Sequence, residues 1–194
     1  MSLKGKSISV CSALTAAVVL WGVSSFSGQA LADNLKDNRI AALKTMAGAL
    51  RHAAELVNAK RELAGLEKDE AMCPTGFDNS CREEEKIAVK CGFPDATPDG
   101  IVRALNADLG KIVDGRVPDN KWVYVFKEWD KDARQILVTL NGAPVPDAFE
   151  AGEDLTVKHQ CYIFYNTPCY QDPRDTKHDG NLNGIQIRLF TDGC

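Results

Sequence analysis

Between residues 33 and 65, DNLKDNRIAALKTMAGALRHAAELVNAKRELAG, apolar residues recur at alternating spacings of three and four. Ile40, Leu43, Ala47, Leu50, Ala54 and Val57 form the series, and Lys44, Arg51, His52, Glu55 and Arg61 fall largely elsewhere. The pattern predicts one amphipathic helix with a face built to be covered. Asp33 or Asp37 is expected to cap its start, Lys60 and Arg61 suit the negative end of its dipole, and Gly65 can close it in the left-handed conformation. Ala41, Ala42, Ala47, Gly48, Ala49, Ala53, Ala54 and Ala59 make the helix thin, so another backbone can approach it closely.

Beyond Gly65 the pattern turns polar, then alternates briefly over residues 87–91, IAVKC. Residues 97–110 predict a short helix, with Thr97 as its cap, Pro98 at the first helical position and Gly110 as its stop. From Lys121 the period becomes two. Residues 122–126 and 135–140 predict a hairpin around the charged turn KEWDKDAR, and 155–165 and 185–190 predict two more strands. The fold class expected is α+β, a long amino-terminal helix packed on a roughly four-stranded antiparallel sheet.

Residues 1–32 differ in kind. Lys4 and Lys6 precede an apolar run at 13–23, and a polar stretch leads to Ala30-Leu31-Ala32. This is the pattern of a secretory signal peptide cut between Ala32 and Asp33. The competing reading is a retained hydrophobic helix over residues 8–26, the one route by which the chain would contact a membrane. The division expected is therefore 1–32, signal peptide or hydrophobic helix, and 33–194, one globular domain.

Composition narrows the function. With 44% apolar and 26% charged residues the chain can bury a core, and a net charge of -4 offers no general attraction to nucleic acid. Removing Cys11 with the leader leaves six cysteines, Cys73, Cys81, Cys91, Cys161, Cys169 and Cys194, an even number suited to disulfides in an oxidising compartment. Spacing alone leaves their pairing open. The absence of any C-x-x-C argues against structural zinc.

Several pieces occurring in order carry a family resemblance: LADNLKDNRIAALKTMAGAL with VNAKRELAG, then CGFPDATPDGIVRAL, then Trp122 opening a strand, then HQCYIFY and the terminal TDGC. From about Leu31 to Cys194 the chain resembles the globular part of a type IV pilin, closest to the mannose-sensitive haemagglutinin (MSHA) subgroup. The resemblance implies a pilin-like fold with a disulfide-bonded carboxyl-terminal region, in which the family's bridge becomes Cys161 to Cys194. Cys73 to Cys81 and Cys91 to Cys169 are the expected additional bridges. It also implies a role in a type IV pilus-type surface filament or in adhesion, with other pilin-like subunits or a surface receptor as partners. The chain departs from the family pattern in lacking the short basic leader and the glutamate that helps subunits join the filament, which would fall near Ala13.

Catalytic patterns are missing. There is no G-x-S-x-G, H-E-x-x-H, phosphate-binding glycine loop or dinucleotide fingerprint, and His52, His159 and His178 sit on three distant pieces. Asp95, Asp99 and Asp108 occupy capping and turn positions and are read as structural. One metal candidate remains: Asp179, Asn181 and Asn183 fit the first half of a calcium loop, but Phe190 stands where the motif wants a bidentate glutamate. Calcium is thus the one cofactor to be weighed. The function expected is a non-enzymatic pilin-like structural or adhesion protein at the cell surface. The alternative is a soluble periplasmic or secreted binding module built on the same fold.

Overall fold

The computed structural model describes residues 14–75, 80–130, 133–143, 161–168 and 184–194. The chain forms two units, Met1–Asn38 and Arg39–Cys194. In the first, the described element is the opening part of helix α1, which spans Leu14–Ala64. The expected start at residue 33 is therefore corrected. Asp33 and Asp37 lie inside α1 and cap nothing, because the Ala- and Leu-rich sequence before them is itself helix-forming and carries the helix through. The Ala32–Asp33 bond also lies within this helix.

In the second unit, α1 buries Leu43, Met46, Leu50, Ala53, Ala54 and Val57, the side that the periodicity marks. Ile40 and Ala47 are half-buried on the flanks. The helix ends on a Schellman motif: Leu66 N–H donates to the Arg61 carbonyl, Gly65 N–H donates to Glu62, and Gly65 takes φ +69°. Arg61 completes that end. It is 7% exposed, and its guanidinium donates to the Leu66 carbonyl at 2.7 Å.

The sheet is corrected from four antiparallel strands to five mixed ones. Its order is β3 (Leu109–Lys111), β4 (Trp122–Asp130), β5 (Ala133–Leu140), β6 (Tyr162–Asn166) and β7 (Gln186–Phe190). Strands β4 to β7 are antiparallel neighbours, whereas β3 runs parallel to β4 with Leu109 opposite Trp122. Gly110 is thus a strand residue, not a helix stop. A side chain there would collide with Pro118 and Asn120 of the connection that returns the chain to β4.

Alternation along the strands sends two sets of side chains to opposite faces. Tyr124, Ile136, Val138, Ile163 and Tyr165 join α1, Ala96 and Ile101 in the main core. Leu137, Tyr162 and Phe164 form a second cluster with Val125 and Phe190. Both faces are apolar at the centre, which explains why β5 and β6 read as near-continuous hydrophobic runs. A small outlying ladder, β1 (Val89–Lys90) with β2 (Phe93–Pro94), stands outside this sheet.

The expected second helix is shorter and looser than residues 97–110. Thr97 caps it, its hydroxyl accepting from Gly100 N–H, and a wide π turn over Pro98–Val102 leads into the single α-helical turn α2, Arg103–Leu105. Asn106, at φ 47°, stops it in the left-handed region.

Candidate functional site

Two features of the described residues bear on recognition. The first is the solvent side of α1. Ala49, Leu56 and Leu63 follow one another at every seventh position, with half-buried Ala42 continuing the row and exposed Ala41, Gly48 and Ala59 beside it. Leu56 is 44% and Leu63 75% exposed, although each is large and apolar. The thin residues of the helix are therefore divided. Ala53 and Ala54 seat it on the sheet, and the others leave a shallow strip of small and apolar residues, interrupted by Thr45 and His52 and bordered by Lys44, Arg51 and Glu55.

The second feature is the anchored carboxyl terminus. Cys161, just ahead of β6, is bonded to Cys194, the last residue, and Arg39 of α1 donates to the Cys194 carbonyl at 3.1 Å. Helix α1, the start of β6 and residue 194 are thereby joined. Cys73 is bonded to Cys81, and Cys91 is also disulfide-bonded; Cys169 lies outside the described residues. Such bonds form in oxidising surroundings, which makes this a chain of a non-cytoplasmic compartment. Among the described residues no helix is both long and apolar enough to cross a membrane.

A polar node fixes the loop ahead of the π turn to the sheet. Asp95 is 5% exposed; one carboxylate oxygen accepts from Ala96 N–H at 2.8 Å and the other from Arg134 of β5 at 2.5 Å. Arg134 also donates to Glu128 at 2.8 Å, and these two carboxylates hold its guanidinium protonated above the ordinary range. The adjacent Pro94 carbonyl accepts from the hydroxyls of both Tyr165 and Thr167 at 2.8 Å. Burial, with the nearby Asp95 charge adding to it, pushes the Tyr165 phenol above its usual value of 10.0. Desolvation raises Tyr162 to about 12. Burial raises Tyr124 too, and Asp99 adds to that shift. All are neutral at physiological pH, as interior phenols must be.

The three aspartates considered for acid–base work do not converge. Asp95 is held by Arg134, Asp99 pairs with Arg103 across one helical turn, and Asp108 accepts from Asn120. His52 is exposed on α1, and His159 and His178 lie outside the described residues. The calcium candidates Asp179, Asn181 and Asn183 also lie outside them; among the described residues no group of acidic, histidine or cysteine side chains is placed to hold a metal ion. Sequence reasoning missed Arg134, whereas Arg61 stands in the last turn of α1 as expected. Arg134 sits among polar neighbours that give no local signal, and only the tertiary fold brings it to Asp95.

Together these features define an α+β protein with a long helix, a mixed five-stranded sheet and disulfide bonds. No family model, curated protein or solved structure matches the chain.

Proposed function

We propose that the chain is a non-enzymatic, pilin-like structural or adhesion protein, a subunit or relative of the subunits of a type IV pilus-type surface filament. The observation that supports this reading is the division of α1 into two apolar sides. One is consumed by the sheet, and the other leaves Leu56 and Leu63 exposed on a small-residue strip at seven-residue spacing. A strip of this kind suits close packing against a neighbouring helix, and in a symmetric assembly each subunit presents it in turn. The disulfide-tied carboxyl terminus suits a subunit whose outer surface must withstand an extracellular setting.

The test is sedimentation of the exported protein and of the doubly substituted Leu56→Glu, Leu63→Glu chain. Wild-type protein is expected to pellet as polymer and the variant to stay monomeric with unchanged circular dichroism. A variant that polymerises as well as wild type overturns the reading. The Ala30-Leu31-Ala32 sequence favours a second reading, an exported binding module released by cleavage. Amino-terminal sequencing separates the two: a start at Asp33 supports the module, and a retained hydrophobic segment supports the subunit.

A further inference from the structure

Beside the carboxyl-terminal half of α1, within the second unit, lies an open cavity of about 250 Å³. Its floor is Val57, Met72, Ile87 and Ala104, the first three nearly inaccessible to solvent. Its rim carries Leu56, Lys60 and Arg103. Three separate pieces of chain build it: α1, the segment held by the Cys73–Cys81 bond and by the Met72–Ile87 pairing, and the turn that follows the π-helical stretch.

The electrostatics of this groove run against those of the whole molecule. The chain carries a net charge of -4, yet none of the groove's lining residues is acidic and two are cationic. The Lys60 ammonium donates to a neutral acceptor, the Pro74 carbonyl, at 3.1 Å, and among the described residues no carboxylate pairs with it. Arg103 spends part of its guanidinium on the Lys86 carbonyl and on Asp99. A guanidinium has about five N–H donors, so these two bonds leave further donors at the rim. An apolar floor below two cations is complementary to a molecule with an apolar body and one anionic end.

We infer that this groove binds an aliphatic monocarboxylate, its carboxylate against Lys60 and Arg103 and its tail over Val57, Met72 and Ala104. Roughly 150 Å³ of apolar space suffices for benzene, so this volume fits a tail of about eight to ten carbons. The groove is built by one folded chain, and Leu56 is shared between its rim and the exposed strip of α1, so the test is made on the monomeric chain.

The test is isothermal titration of the full, disulfide-bonded chain with octanoate, octan-1-ol and octylammonium, each below its aggregation concentration. Octanoate is expected to bind at one site per chain, octanol several-fold more weakly and octylammonium not measurably. Lys60→Gln should weaken octanoate about tenfold, the size of one lost charge-assisted contact, and leave octanol unchanged. Ala104→Phe, which fills the groove, should abolish both. The proposal is overturned if octylammonium binds as well as octanoate, if K60Q binds octanoate with wild-type affinity, or if a folded A104F still binds it. Should A104F fail to fold, the ligand series and K60Q, whose side chain lies at the rim, decide the matter without it.

Discussion

Replacing Asp95 by Asn tests whether the loop ahead of the π turn is held by charge or only by shape. Asn preserves the volume and can still accept from Ala96 N–H, but it presents an amide donor or a neutral oxygen to Arg134, where the carboxylate now sits at 2.5 Å. A hydrogen bond to a charged group contributes roughly 1.5–3 kcal/mol. The lower part of that range applies here, because the Arg134 side chain is 29% exposed and keeps Glu128 as a partner, so solvent screens part of the interaction. We expect D95N to cost about 2 kcal/mol, and Asp95→Ala about 3 kcal/mol because the Ala96 bond goes as well. In a domain of this size a loss of about 2 kcal/mol lowers Tm by roughly 4–8 °C. Urea unfolding at neutral pH with disulfides intact, followed by tryptophan fluorescence, measures the difference. Arg134→Met and the double substitution complete a cycle, for which a coupling of about 1–2 kcal/mol is expected. A D95N protein within about 0.5 kcal/mol of wild type, or strictly additive single changes, refutes the role given to this pair.

Other parts of the fold give further expectations. Cys161→Ser with Cys194→Ser opens a closure of 33 residues in sequence and should lower stability by about 4 kcal/mol in the chain-entropy model, read by urea midpoint under non-reducing conditions. Gly100→Ala places a methyl group on the Asp95 backbone, which cannot yield, and should lose about 1–3 kcal/mol; an unchanged Tm contradicts the packing described. At high pH the sign follows from Tyr165: burial holds its native pKa above the unfolded value of 10.0, so its contribution is whole below that pH and is lost as pH rises toward the native value. That loss approaches about 1.4 kcal/mol per pH unit, and Tyr165→Phe should flatten the alkaline slope of stability; the same slope in both proteins would place its origin elsewhere.

The covered side of α1 was legible because a single helix seated on a sheet imposes a period near 3.6 on its own sequence, and Leu43, Leu50, Ala54 and Val57 keep that period. Its beginning was not legible from the capping residues, since Asp33 and Asp37 look the same as caps or as mid-helix residues when a helix-forming stretch precedes them. The β4–β5 hairpin was legible for a comparable reason, with local pairing and alternation both present. Strand β3 was hidden because three residues carry no period, and because Gly110 resembles a helix stop until the crowding by Pro118 and Asn120 is seen. Cys161–Cys194 entered through a family resemblance, since spacing left every pairing open. Asp95 and Arg134 stand 39 residues apart, and no local rule links a loop acid to a strand arginine at that distance.

The segment from Pro94 to Asn106 joins the stability of the fold to the amphipathic groove beside α1. At its start, Pro94 and Asp95 are fixed from the sheet side by Tyr165, Thr167 and Arg134. Gly100 then packs directly on the Asp95 backbone, whose carbonyl accepts from Ile101 N–H at 2.9 Å, so the turn cannot shift without breaking that contact. The wide π turn carries the chain outward from this fixed point, and α2 delivers Arg103 and Ala104 to the groove wall before Asn106 reverses the chain. A regular α-helix over the same residues would rotate the positions after Gly100 by a fraction of a turn relative to the anchored start. The irregular helix is therefore the means by which a position locked to the sheet places a cation and a small apolar side chain opposite Lys60.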